Sequence, residues 1–280
     1  MRRLPRPGLK TTRRMVQVAV AGAFILIPWL NHLQISWVYG NFLSMKVYKL
    51  PLADPLAVLQ IILKNNYWTL DLLVGAGIAL GLAALLGTVF CSWICPFGLI
   101  SELGLALNPR HPKKTKPRPR GFKIKFIIFG AGILGFLVFS TTPVLNQLSL
   151  PAWYSRIFQF WFEQGHISLA LAALPGLALA EGLLGRRLWC RYICPQSVII
   201  SLAKQINPRR LRVNYTPKSC TCKGQSPCAS ACTLDLNPRR FKTFPETECT
   251  NCGDCTIVCK EYGKALTFGF GPVKKPHHSG

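Results

Sequence analysis

WCRYICPQS, residues 189–197, repeats FCSWICPFG, residues 90–98, at a separation of 99 residues. In both copies an aromatic residue followed by Cys-x-x-x-Cys-Pro closes a long apolar stretch. Cys91 and Cys95, like Cys190 and Cys194, stand four residues apart, so on a helix both thiols of a pair face one side. Pro96 and Pro195 disfavour a helical conformation at the cysteine before them, so each helix should loosen there and expose thiol and backbone. Outward from the motif, each half reads as helix, outward segment, helix, motif, and a short amphipathic stretch, FGLISELGLAL (97–107) or QSVIISLAKQI (196–206). The outward segments PLADPLAVLQIIL (51–63) and SLPAWYSRIFQFWF (149–162) are apolar, turn-punctuated and too short to span a bilayer. They are expected to lie in, or dip into, the outer interface.

Half of the 280 residues are hydrophobic, yet the formal net charge is +24. Apolar runs demand burial and one-sign charge opposes compaction, a combination ordinary only in a membrane protein with basic loops. The Lys and Arg alternate with greasy segments instead of forming a stripe, which argues against nucleic acid as the partner. Four stretches approach the ~20 residues a crossing needs: 15–31, 70–90, 126–145 and 167–184. The first follows a basic stretch but lacks a small-residue cleavage site, so it reads as a retained helix and not a signal peptide. Residues 1–14, 92–125 and 182–218 carry 22 Lys and Arg, against four in 32–68 and 146–166. That bias predicts a multi-pass membrane protein with both termini in the cytoplasm. Both halves begin and end on the same side, making the repeat parallel, and sites in repeat-built membrane proteins tend to fall between the repeats. The expected fold class is membrane all-α: four transmembrane helices in two parallel repeats, followed by a small C-terminal ferredoxin-like α+β module. The expected divisions are a basic N-terminus (1–14), a first repeat (15–107), a basic loop (108–122), a second repeat (123–207) and the module (213–271).

Eight of the twelve cysteines crowd into residues 220–259. Cys249-x-x-Cys252-x-x-Cys255-x-x-x-Cys259 is the spacing with which a loop and a helical turn wrap a [4Fe–4S] cube, and in two-cluster ferredoxins the fourth Cys of each run serves the other cluster. By that rule Cys249, Cys252, Cys255 and Cys232 form one ligand set, and Cys220, Cys222, Cys228 and Cys259 the other. The first run is irregular, since only one residue separates Cys220 from Cys222, and Thr233 and Lys260 stand where proline is usual. Tetrahedral zinc is the alternative, but eight interleaved thiols favour two cubes. A disulfide framework belongs to small secreted domains. The membrane thiols Cys91, Cys95, Cys190 and Cys194 are candidates for one redox unit; they could ligate a metal or cluster, or cycle between dithiol and disulfide.

Among other polar residues, His32 and His166 fall near the outer ends of spans, where they could hydrogen-bond a quinone carbonyl or ligate haem. Glu181 lies within the fourth span and Asp71 opens the second. A carboxylate in lipid is expensive, so Glu181 is a candidate proton acceptor, or else pairs with Arg186 or Arg187. The glycines of the second span (Gly75, Gly77, Gly81) and the third (Gly130, Gly132, Gly135) are expected to permit close helix packing.

GNFLSMKVYKLPLADPLAVLQ (40–60), FCSWICP (90–96), WCRYICP (189–195) and CTNCGDCTIVC (249–259) together resemble the NapH/MauN ferredoxin-type family, over about residues 12–270. Within it the NapH branch, a quinol dehydrogenase component of periplasmic nitrate reductase systems, is the better match. The resemblance implies four membrane helices, cytoplasmic iron–sulfur clusters and oxidation of menaquinol or ubiquinol. It further implies delivery of electrons to a periplasmic iron–sulfur partner and onward to a reductase. A MauN-like role in maturing or serving a metalloenzyme is the alternative.

Overall fold

The computed structural model describes residues 8–33, 38–41, 43–65, 68–107, 121–139, 144–165, 170–222, 226–240 and 246–271. Most of the basic loop 108–122, the first residues of the basic N-terminus and His166 lie outside these.

α1 (Leu9–His32) is, among the described residues, the one helix both long and apolar enough to cross a membrane. It leads into a three-stranded antiparallel sheet of β1 (Val38–Asn41), β2 (Ser44–Val47) and β3 (Leu50–Leu52), with Val38 opposite Val47 and Met45 opposite Leu52. α2 (Pro55–Asn65) follows; Asp54 caps it by accepting a hydrogen bond from the Leu56 N–H at 3.0 Å, a contact worth ~1 kcal/mol. α3 (Leu70–Leu86) starts at Thr69, whose side chain accepts from Leu72 N–H, and ends at Gly87 with φ 67°. The expected second span is therefore a 17-residue helix plus a separate turn. A Cβ on Gly87 would stand 2.7 Å from the Asn251 amide nitrogen, so the glycine also lets the C-terminal module approach.

The motif segments 90–94 and 189–193 are π-helical turns, in which Cys95 N–H bonds the Phe90 carbonyl at 2.8 Å and Cys194 N–H the Trp189 carbonyl at 3.0 Å. Cys95 (φ −63°, ψ 118°) and Cys194 (φ −56°, ψ 112°) leave the helical region, as a residue before proline must. Two new helices start at the prolines: α4 (Pro96–Leu107) and α9 (Pro195–Ile206). Between them come α5 (Gly121–Phe139), α6 (Val144–Gln147), α7 (Leu150–Gln164) and α8 (Ala170–Leu184).

The two repeats exchange these post-motif helices. α4, from the first repeat, packs on α8 of the second, while α9, from the second, packs on α3 of the first. Gly104 and Gly182 face each other so closely that a Cβ on either would collide with the opposite backbone, at the Ala178 or Gly104 carbonyl. On the other side Ala83 meets Ile200 and Ala203. The amphipathic stretches thus turn one face of α4, and most of α9, to the opposite repeat. Nine of the twelve residues of α9 are buried, including Gln196, Ser201 and Lys204, because they face the other repeat and the module instead of a membrane surface. Of the glycines expected to allow packing, Gly75 meets Ala53 and Gly132 meets Leu145, whereas Gly77, Gly81, Gly130 and Gly135 face open space. α7 is tied into the core at its start, where Leu150 joins Cys95, Phe97, Ile157 and Leu174 in one cluster.

The C-terminal module is built on the antiparallel pair β4 (Leu211–Tyr215) and β5 (Leu266–Phe270), with Val213 opposite Phe268. Two short helices, α10 (Pro227–Ser230) and α11 (Asp254–Cys259), carry cysteines, and Val213, Cys228, Cys249, Cys255, Cys259, Ala265 and Leu266 form its core.

Candidate functional site

Cys91, Cys95, Cys190 and Cys194 line one small cavity at the meeting point of the two π turns, α5 and the start of α7. The helix exchange puts them there, since each proline redirects its chain into the opposite repeat. Burial pushes the Cys91 and Cys95 thiols up to about 12, and the neighbouring Cys194 adds to it. A thiolate in this chamber therefore needs positive charge beside it. Three buried cations supply some: Lys125 and Lys204 act on Cys91, and Arg187 on Cys95 and Cys190. Four soft thiols ringed by cations fit an anionic thiolate-ligated metal cluster better than a packed apolar core. Among the described residues no three His, Cys, Asp or Glu side chains are arranged to share a single ion; the thiols are distributed around the cavity wall.

The module is hydrogen-bonded directly onto this chamber through the backbone of its main cysteine loop. Thr88 Oγ1 and Lys204 Nζ (3.2 Å) donate to the Cys249 carbonyl, Ser92 Oγ donates to that of Thr250 (2.6 Å), and Trp93 Nε1 to that of Asn251 (3.2 Å). Asn251, at φ 56°, returns its amide to the Leu211 carbonyl at 2.8 Å. Left-handed conformations at Asn251 and at Gly253 (φ 82°) wrap the loop, Asn and Gly being the residues that tolerate them. From the other flank Arg13 of α1 donates to the Cys252 carbonyl (2.9 Å) and pairs with Asp254 (3.1 Å) and Glu102 (3.0 Å), while Arg187 shares Glu102 (3.0 Å). Removing one partner of such a buried network leaves an uncompensated charge, at about 3–5 kcal/mol. Arg186 and Arg191 meet Asp235, and Arg191 also Glu248.

Behind the loop lies a second small cavity lined by Cys232, Cys249, Cys252 and Cys255. Thr250 lines both cavities, so one residue's thickness of chain separates the two thiol sets. The remaining cysteines also assemble: Cys222 interacts with Cys220 and Cys259, Cys228 with Cys222 and Cys259, and Cys255 in turn feels Cys228. The twelve cysteines thus fall into three neighbourhoods of four, around the chamber, around the second cavity, and about Cys220, Cys222, Cys228 and Cys259.

Glu181 is placed differently from its expected pairing. It accepts from Ser101 Oγ at 2.5 Å and from Trp189 N–H at 2.9 Å, whereas Arg186 pairs with Asp235 and Arg187 with Glu102. Glu181 therefore braces the α4/α8 crossing and the second π turn. Asp71 forms an exposed pair with Lys46 at 2.8 Å. His32 ends α1 with its ring 6.5 Å from that of Phe162. Arg13 touches the Cys249–Cys252 loop at the opposite end of the same helix, 19 residues away, which at 1.5 Å per residue is about 28 Å. His32 is not brought to the thiols. Sequence reasoning passed over Lys125, Lys204, Arg13, Asp54 and Gln196. Each sits within a stretch already explained by topology or turn chemistry, so only its burial marks it.

A family model described as a 4Fe-4S binding domain matches residues 68–115 and 167–214, the segments carrying the two Cys-x-x-x-Cys-Pro motifs. The ferredoxin-type protein NapH of Escherichia coli is 28% identical over 264 residues, covering 89% of this chain and 85% of that protein. The methylamine utilization ferredoxin-type protein MauN of Methylobacillus flagellatus is 26% identical over 223 residues, 79% of this chain and 74% of its own. The regulatory protein NosR of Pseudomonas aeruginosa is 26% identical over 188 residues, 63% of this chain but 24% of its greater length. No solved structure matches.

Proposed function

Since the chain belongs to the NapH/MauN ferredoxin-type family, we propose that it is a membrane-bound iron–sulfur electron-transfer protein. It oxidises menaquinol or ubiquinol and passes the electrons to a periplasmic iron–sulfur partner of a nitrate reductase system. One observation carries this reading: the Cys249–Cys252 loop is docked on the four-thiol chamber with only Thr250 between the two thiol sets. Such proximity suits electron traffic between the membrane part and the module. Cys249, Cys252, Cys255 and Cys232 would hold one [4Fe–4S] cluster, Cys220, Cys222, Cys228 and Cys259 a second, and the membrane thiols a third. A cluster in each set supplies a one-electron carrier whose potential follows local charge and hydrogen bonding. The protein's own part is to bury the thiols, face them with Lys125, Lys204 and Arg187, and hold the sets in register through Arg13 and Asn251.

Four crossings with both termini in the cytoplasm remain the topology proposed. Supporting it, large apolar residues are exposed along α3, α5 and α8, among them Leu82, Leu85, Leu134, Val138, Leu179 and Leu183. A water-soluble protein does not display so continuous an apolar exterior. The N-terminal end of α1 and the module also share one face, joined by Arg13.

The test is reduction of the purified protein's clusters by a short-chain quinol, followed by visible and electron paramagnetic resonance spectroscopy. Reduction in the wild type and none in Cys95→Ser or Cys194→Ser is expected, with the quadruple serine variant no worse than either single change. Near-normal reduction in the quadruple variant would refute the role of the membrane thiols.

A further inference from the structure

A third cavity, of about 220 Å³, adjoins the thiol chamber. Its walls are the C-terminal half of α3, the Asp54–Pro55 turn before α2, and the first turns of α9. They are almost wholly apolar, and the space exceeds the roughly 150 Å³ in which an engineered apolar cavity binds benzene. Two polar side chains interrupt it. Asp54 is 5% exposed, caps α2 and hydrogen-bonds Gln196. Gln196, also 5% exposed, keeps a buried Oε1 that accepts from no donor among the described residues. A buried acceptor left unmade is costly, and a ligand hydroxyl at this position would satisfy it. Gln196 and Phe90 line both this cavity and the thiol chamber, so an occupant would sit one side chain away from the four thiols. Leu82 and Leu86 line it too and are exposed on the outside of α3, giving a long apolar tail a way out.

Resting on the quinol reading above, we propose that this cavity receives the ring of a membrane quinol. One ring hydroxyl donates to Gln196 Oε1, beside Asp54, and the isoprenoid tail leaves past Leu82 and Leu86. The quinone site is thereby assigned to the Asp54–Gln196 pair, far from His32. A lipid acyl chain would fit the apolar walls but has nothing to offer Gln196.

The full-length protein in phosphatidylethanolamine–phosphatidylglycerol nanodiscs, labelled with a photoreactive azido-ubiquinone, provides the test. Cross-links are expected within residues 52–55 or 79–90, competed by unlabelled short-chain ubiquinone or menaquinone. Ala83→Phe, which fills the cavity, and Gln196→Leu, which removes the acceptor, should each lower labelling about tenfold or more at unchanged iron content. Cross-links elsewhere, labelling that does not compete, or labelling unchanged in both variants would overturn the site. Loss in Ala83→Phe with full labelling of Gln196→Leu would mean an acyl-chain pocket and equally refute it. Should both variants lose iron, the wild-type cross-link position decides alone. Intact competed labelling without quinol-driven cluster reduction would defeat the electron-transfer reading and leave the binding site standing.

Discussion

Asp54 shows how a residue can hide in a sequence. Written ADPL, it reads as an ordinary helix cap, and it is one; burial against Gln196 is what sets it apart. Burial, the largest influence, raises its pKa above the usual ~3.9, so the folded state holds the proton more tightly than the unfolded chain. Stability from this group is therefore full at low pH and is lost as pH rises from about 4 through the raised value. Asn caps helices as well as Asp does. Asp54→Asn should accordingly unfold at a higher temperature than wild type near neutral pH and at the same temperature near pH 4. A variant less stable at neutral pH would mean that the carboxylate is held charged. The thiols, by contrast, were legible at once, because Cys-x-x-x-Cys-Pro occurring twice has no bland equivalent. Lys125 and Lys204 were not, because buried cations and loop cations look alike in a chain whose basic residues are already accounted for by the expected topology.

At the scale of elements, the two halves and most helices could be read from the repeat and from apolar length. The exchange of α4 and α9 between halves could not, since periodicity states which face of a helix is apolar without naming the neighbour it meets. Nor could the packing of the start of α7 against Cys95 and Phe97, since an apolar, turn-punctuated stretch does not name its neighbours. Gly104 and Gly182 carry the crossing, yet the conspicuous glycines of the second and third spans drew the attention instead. Gly104→Leu should push α4 from α8, disturb the Ser101–Glu181 bond, and cost about 1–3 kcal/mol or more. Gly130→Leu, whose Cβ would meet nothing within 4 Å, should be tolerated. Thermal unfolding of the two variants in detergent separates them; equal loss would show that the crossing is not tight.

For the whole molecule, charge asymmetry and hydropathy support the proposed topology, and α1 joins the module at Arg13 and runs about 28 Å to His32. Reporter fusions after residues 122 and 212 should behave as cytoplasmic, and fusions near Asn65 and Gln164 as periplasmic; a periplasmic C-terminus would reverse the electron path. The three four-cysteine groups, two of them meeting at Thr250, are the feature on which the functional reading turns. Two of those groups were expected from ferredoxin spacing, whereas the third was left open because spacing does not name what four thiols hold. Iron analysis with Mössbauer spectroscopy of anaerobically purified protein addresses it most directly. Three cubic clusters give about twelve iron atoms per chain, and the combined Cys91→Ser, Cys95→Ser, Cys190→Ser and Cys194→Ser variant should retain about eight. About eight in both proteins would contradict a cluster in the membrane thiols.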